Sequence, residues 1–338
     1  MNKKQKIILL ISTLGLLIGG STIIPLIFNS FNISLNTRKL GQVDTGGMAT
    51  DVEVQGDIAY VVDVTENNPG GLLIINVSYP TNPSILGSYY QGGVPRKVSV
   101  VGEIAYLANS MGGLEVLNIS DLTNPVKIDE YIGSGVAYDV EVKGDIAYLA
   151  DWSRGLVILN ISNPSNIRKI KTFSIPGSCV HVSVFNSLAY IVDHHTDYSG
   201  LRIINVSNPS NPVQLSNYAP SGVDFWNPFA HGNYVYICNH APSGGELRIL
   251  NVSDPSNIIL EGVFDEQSSI YSSYVIGDKV YLADYRNGLV VIDVSNPSNP
   301  VKEAQYFDNG HVIDVDVISN IAYVADGVDG LEIIEILI

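Results

Sequence analysis

The sequence predicts an all-β fold, a seven-bladed β-propeller closed by an N-terminal strand and preceded by one N-terminal transmembrane helix. Three observations carry this expectation. An apolar phrase ending in tyrosine recurs seven times, each recurrence is embedded in strand-and-turn chemistry, and a basic N-terminus precedes a long uncharged run.

The leader comes first in the chain. Lys3, Lys4 and Lys6 are followed by 22 uncharged residues, Ile7 to Phe28. At about 1.5 Å rise per residue a helix of that length spans roughly 30 Å of hydrocarbon, and the lysines favour a cytoplasmic N-terminus. Residues 1–35 are therefore read as a membrane anchor or signal segment plus linker, and residues 36–338 as an extracytoplasmic propeller on a single-pass membrane protein. A cleaved signal would show a shorter apolar stretch and a small-residue cleavage site. Gly19-Gly20-Ser21-Thr22 alone hints at one, so an uncleaved anchor is favoured, and no cysteine lies near for a lipid.

The repeats follow. Ile58-Ala59-Tyr60, Ile104-Ala105-Tyr106, Ile146-Ala147-Tyr148, Leu188-Ala189-Tyr190, Tyr234-Val235-Tyr236, Lys279-Val280-Tyr281 and Ile321-Ala322-Tyr323 place successive tyrosines 46, 42, 42, 46, 45 and 42 residues apart. A period near 40 to 45 with several short strands per unit is the signature of propeller blades. The third unit shows four strands well, Tyr138 to Val142, Ile146 to Ala150, Gly155 to Ile161 and Arg168 to Phe173, with Gly, Asn, Asp, Ser and Pro between the β-branched and aromatic runs. The last unit stops after Leu331 to Ile336. Its missing partner lies at the other end of the chain, where Arg38 to Gly47 aligns with Ser84 to Gly93, the outer strand and exit turn of the first full unit. Pairing that segment onto the seventh blade satisfies an otherwise open sheet edge.

The third strands read Gly71-Leu72-Leu73-Ile74-Ile75-Asn76-Val77-Ser78, Gly113 to Ser120, Gly155 to Ser162, Gly200 to Ser207, Glu246 to Ser253, Gly288 to Ser295 and Gly330 to Ile336, most of them followed by Asn-Pro or Asp-Pro. In these phrases the chain resembles the LVIVD-repeat proteins, a family of bacterial and archaeal propellers, over roughly residues 37–338. The resemblance implies a surface or secreted propeller and implies no particular reaction.

Charge narrows the partners. The formal net charge of −16 becomes −19 once the three leader lysines are set aside. Such a surface repels phosphates and excludes nucleic acid as a partner, while calcium and cationic ligands are compatible with it. Two cysteines, Cys179 and Cys238, allow one disulfide and no disulfide framework.

Candidate functional residues fall on one face. The turns between second and third strands share a side with the connections between blades, and they vary most in length, as from Asp63 to Gly71, Asp193 to Gly200 and Asn239 to Gly245 against the short Asp151 to Gly155. Length variation on one face of a repeat array marks a binding face. The column Asp63, Asn109, Asp151, Asp193, Asn239, Asp284 and Asp326 is filled in every blade, which argues for a turn role rather than a calcium or catalytic ring. Asn76, Asn118, Asn160, Asn205 and Asn251 lie in sequons, but Asp293 and Glu335 fill the same column elsewhere; Asn32 is the sequon best suited to glycosylation.

Departures from the repeat concentrate in blades four and five. Cys179-Val180-His181 and Cys238-Asn239-His240 place a thiol and an imidazole two residues apart in a strand, with His194 and His195 nearby. Cys179, His181, Cys238 and His240 are a candidate zinc or copper set, and a Cys179–Cys238 disulfide is the competing expectation. Trp152, Tyr198, Phe225, Trp226 and Tyr285 crowd the same face, suited to stacking on sugars or anchoring a protein, although Phe225, Trp226 and Phe229 also suit the packing of a blade whose first strand is interrupted by Pro228. Asp51, Lys97, Asp139, His181, Asn227, Ser272 and Asp314 form one aligned column of mixed polarity, best placed to meet a polar ligand at the channel. His231 aligns with a turn of the opposite face and is expected to be exposed. No nucleophile elbow, phosphate-binding glycine loop or metalloprotease helix motif occurs. The expectation is a surface module binding a protein or glycan, with a propeller enzyme or metal-binding protein as the alternative.

Overall fold

The structure is a computed structural model that describes residues 36–64, 70–90, 92–133, 135–194, 199–240, 244–307 and 309–338. The expected transmembrane helix, and the candidates His195 and Tyr198, lie outside the described residues. Among the described residues no helix is long and apolar enough to cross a membrane.

Strands dominate because the repeats are rich in Val, Ile, Leu and Tyr and are punctuated by turn residues. They form seven four-stranded antiparallel sheets. Blade one is Met48–Gln55, Ile58–Val64, Gly71–Asn76 and Ser84–Tyr89, and blades two to six repeat that order. Blade seven takes Asp314–Ile318, Ile321–Ala325 and Leu331–Ile336 from the C-terminus and Thr37–Val43 from the N-terminus. Thr37 pairs with Ile336 and Val43 with Leu331, so the predicted closing strand is present. It copies the other outer strands down to a bulge, here at Leu40, matching the register shift after Ile74 in blade one. Lys39 forms an ion pair with the fully buried Glu332, and the Thr37 hydroxyl donates to the Gln305 carbonyl of blade six at 2.8 Å.

The core lies between blades rather than within one. Tyr60, Val62, Leu72 and Ile74 of blade one pack against Val98, Val100, Ala105 and Leu107 of blade two. Around the ring, Tyr323, Ala325, Leu331 and Ile333 of blade seven meet Ala49, Val52 and Val54 of blade one. Both faces of the second and third strands are thus covered, which is why these strands read as continuous apolar runs instead of alternating ones. All seven repeat tyrosines are buried in these interfaces. Burying a large apolar side chain is worth roughly 1.5–3 kcal/mol.

The Asp/Asn column does the turn work expected of it. All seven members are buried. Asn239 Oδ1 accepts the Asp224 N–H at 2.8 Å, and Asp284 Oδ1 accepts the N–H groups of Arg286 at 3.0 Å and Asn287 at 2.9 Å. The incoming connection is pressed so closely onto this column that a Cβ at Gly135 would lie 1.7 Å from Asp151 Oδ1. The sequon column is structural too: Asn76, Asn160 and Asn251 each accept both the N–H and the hydroxyl of the serine two residues on, as Asp293 does from Ser295.

Antiparallel order puts the second-to-third turns and the blade-to-blade connections on one face, termed upper here, and the remaining turns on the lower face. The seven first strands surround the central channel.

Candidate functional site

The aligned column forms the waist of the channel, dividing it into two cavities. The lower has a volume of about 530 Å³ and the upper about 400 Å³, and Lys97, Asn227 and Asp314 line both. Lys97 Nζ donates to Asp51 Oδ1 at 2.5 Å and approaches Asp314 Oδ2 at 3.4 Å. Asn227 Nδ2 donates to Ser272 Oγ at 2.7 Å, and His181 Nδ1 stands 3.5 Å from Asp139 Oδ2. Lys97, with its two carboxylate neighbours, is pushed well above the usual lysine range against the opposing cost of burial. Burial raises Asp51, whereas Lys97 and hydrogen bonds from Ser272 and Val52 outweigh burial and hold Asp314 down.

The carboxylates of this column also join blades. Asp51 Oδ2 accepts the Val98 N–H at 2.8 Å, Asp139 Oδ2 that of Val182 at 3.0 Å and Asp314 Oδ2 that of Val52 at 3.1 Å, each from the next blade. A second rung lies below, where Glu53 accepts from Val100 N–H and Asp316 from Val54 N–H. The innermost strand has a free edge on the channel, and these side chains satisfy N–H groups that no further strand can reach. Blade five presents Pro228 at the matching position, which has no N–H to satisfy. The column residue facing it, His181, is relieved of that duty, and its Nε2 is buried without a hydrogen-bond partner among the described residues.

A β-bulge explains how the upper cavity acquires its walls. The first strands of blades one, three, four and six shift register just before the column residue, between Ala49 and Asp51, Ala137 and Asp139, Cys179 and His181, and Ile270 and Ser272. The extra residue re-aims its neighbours, as bulges beside functional sites commonly do. Tyr138 and Tyr271, both bulged residues, thereby line the upper cavity with His181, Trp226 and Tyr285. In blade five the bulge falls on Asn227, whose φ is 28°, and the strand runs on through Pro228, which pairs with Ile237. Pro228 therefore bends the strand and does not interrupt it.

The wall on the side of blades four to six is a continuous aromatic arc. Ring centroids are 5.2 Å apart for His181 and Trp226, 6.0 Å for Trp226 and Tyr271, and 5.3 Å for Tyr271 and Tyr285; Tyr285 in turn stacks on His311 at 4.3 Å. Opposite, the Arg96 guanidinium lies 4.0 Å over the ring of Tyr138, which stacks on Trp152 at 4.8 Å. The floor is Asp51, Lys97, Asn227 and Asp314, with Met48, Thr50, Val64, Val94, Pro95 and Ile313 completing the lining.

Of the predicted ligand residues, Asp51, Lys97, His181, Trp226, Tyr285 and Asp314 come together here. Asp139 lines the lower cavity, Trp152 supports Tyr138 from behind, and His194 stands outside the lining, its Nε2 2.7 Å from the Phe225 carbonyl and 3.4 Å from Asp224. Phe225 is core, and Phe229 lines the lower cavity against Tyr274. His231 is exposed on the lower face, as expected.

The candidate metal set does not assemble. Among the described residues no group of three or more His, Cys, Asp or Glu is placed to hold a metal ion. The bulge between Cys179 and His181 breaks the two-residue alternation, turning the thiol into the core between blades three and four and the imidazole into the channel. Cys238 is buried between blades five and six. Both cysteines are free, so the disulfide is also absent. Burial raises both thiols, Cys238 to about 12, which disfavours the thiolate that zinc or copper needs. His240 contacts Trp226 at 5.2 Å from the outer side.

The geometry defines a seven-bladed propeller, closed by its N-terminal strand, with an aromatic-walled cavity at one mouth of the channel. The model of the LVIVD repeat matches residues 46–91, 92–132, 134–173, 176–219, 229–266, 273–308 and 309–336, one per blade, and the chain belongs to the LVIVD-repeat family. The seventh match lacks an outer strand, which the N-terminus supplies. Solved structures share the architecture. The β-propeller domain of Myceliophteria thermophila Cps50 (Swd1) aligns with a TM-score of 0.71 at 11% identity, over 88% of this chain and 99% of that one. A protein from Lactobacillus plantarum aligns at 0.65 and 14%, over 77% and 88%, and the computationally designed Ika8 protein at 0.64 and 7%, over 88% and 99%. At these identities the likeness concerns the fold. No curated protein matches the chain.

Proposed function

We propose that this chain is a binding module held on the outer side of a membrane by residues 1–35, and that it receives part of a protein or glycan ligand in the upper cavity. The observation that carries the reading is the lining itself. The column just before the channel residue carries Thr50, Arg96, Val180 and Ile313 in four blades but Tyr138, Trp226 and Tyr271 in the other three, and a cavity of about 400 Å³ is within the range of sites for small ligands. Maintaining large aromatic rings at a channel mouth serves recognition better than packing, because their faces remain available to a ligand. The leader supports the location through its basic terminus and uncharged run. Asp51 and Asp314 each commit a carboxylate oxygen to a neighbouring blade, so they serve as fixed acceptors for a ligand rather than as mobile acids and bases.

The test is a panel of immobilised cell-surface proteins and glycans presented to residues 36–338, run beside Trp226→Ala and Tyr285→Ala. Loss of binding in both variants, with unchanged circular dichroism, supports the reading. A ligand retained by both would place recognition elsewhere.

A further inference from the structure

Resting on the cavity reading above, we infer that the group held in the upper cavity is an uncharged sugar ring. The aromatic arc of Trp226, Tyr271 and Tyr285 offers flat apolar faces to one side of the cavity, suited to the C–H faces of a pyranose. A purely apolar ligand is a poor match to the floor, where Asp51, Asp314, Lys97 and Asn227 supply acceptors and donors side by side. Hydroxyl groups are the ligand atoms that both donate and accept, and adjacent hydroxyls meet such a mixed floor without leaving a polar group unpaired.

Charge weighs against the competitors. Aromatic walls with a carboxylate also suit a quaternary ammonium ion. Here the two carboxylates of the lining are matched by two cations, Lys97 and Arg96, and Lys97 already lies between Asp51 and Asp314. A ligand cation would meet Lys97 at the floor and Arg96 at the wall, and a ligand anion would meet the two aspartates. With Asp51 raised by burial and Lys97 already shared between Asp51 and Asp314, the floor offers neither sign an unshared partner, which favours an uncharged polar group.

The protein carries two tryptophans, Trp152 and Trp226, so Trp152→Phe leaves Trp226 as the single reporter of the cavity. In that background the fluorescence of residues 36–338 is titrated with glucose, galactose, mannose, N-acetylglucosamine and their short oligomers. Glucuronic acid and tetramethylammonium serve as the charged probes. Saturable change with an uncharged sugar, weakened about tenfold or more by Tyr285→Ala, about 1.4 kcal/mol, is the expected result. Tyr271→Ala is the second variant, and both are first checked for an unchanged melting temperature. If a charged probe saturates and no uncharged sugar does, the sugar inference fails while the cavity reading stands. If no uncharged sugar acts below about 50 mM, the sugar inference fails as well. A panel ligand that binds without moving Trp226 removes both.

Discussion

Removing the closing strand is the most searching perturbation of this architecture. A chain beginning at Gly46 lacks Thr37–Val43, which pairs with Leu331–Ile336 at six positions. An antiparallel ladder of that length carries about six backbone hydrogen bonds at roughly 1 kcal/mol each. Leu40 and Val43, half-buried against the core between blades seven and one, add about 1 kcal/mol apiece. The loss is then on the order of 8 kcal/mol, comparable to the whole stability of many domains. Buried Glu332 also loses Lys39, and the third strand becomes an exposed edge. For a domain of this size that loss lowers Tm by about 10 °C or more. Calorimetry of chains beginning at Asn36 and at Gly46, with light scattering to detect edge-to-edge association, measures it. Melting within about 2 °C of each other would refute the closure described here.

Other consequences are sharper in space. Gly41→Ala places a Cβ 2.2 Å from the Pro80 carbonyl oxygen across the blade seven–blade one junction, and should cost about 1–3 kcal/mol by urea unfolding, whereas Gly200→Ala, whose Cβ would meet nothing nearer than 3.2 Å, should cost less. Burial raises Glu53 and Glu266 to about 7 and Asp316 to about 6, so the folded state binds more protons than the unfolded one. Stability from these groups is full below about pH 4 and falls as pH rises through 6 to 7, and thermal melts should show a higher Tm at pH 5.5 than at pH 8. Asp314, held low by Lys97, acts in the opposite sense and loses its contribution as pH falls below its usual range. Cys179 and Cys238, both fully buried with raised thiols, should resist a thiol reagent in buffer and react fully in denaturant; rapid labelling of the native protein would contradict their placement.

Blade number, strand order and ring closure were legible because they depend on periodicity, and periodicity survives translation into strands with little change. The turn roles of Asp284 and Asn76 were legible for the same reason, since a residue type present in every blade answers a need present in every blade. What the sequence concealed was the bulge. Reading strands as strictly alternating put Cys179 and His181 on one side and suggested a metal site, whereas the inserted residue sends one to the core and the other to the channel. The same oversight hid Tyr138 and Tyr271. A signal did exist: Thr50, Arg96, Tyr138, Val180, Trp226, Tyr271 and Ile313 occupy one column immediately before the channel column, and its residues range in size from threonine to tryptophan. Pro228 was read as a break because a proline removes a ladder donor, yet on an innermost strand that donor points at open channel.

The direction of the closing strand has a mechanical meaning. Thr37 lies beside Ile336 at the lower face and Val43 beside Leu331 at the upper, so the chain enters the ring from the side away from the aromatic cavity. Were the chain held through residues upstream of Asn36, the support would pull downward along the strand axis, while a ligand seated in the cavity would pull upward on the rest of the ring. Tension between them slides Thr37–Val43 along Leu331–Ile336 and stretches all six paired positions together. Peeling from one end, in which pairs break singly, would require the chain to enter from the upper face. On an anchored chain the strand that closes the ring would also carry the load, in the orientation that shares it most evenly.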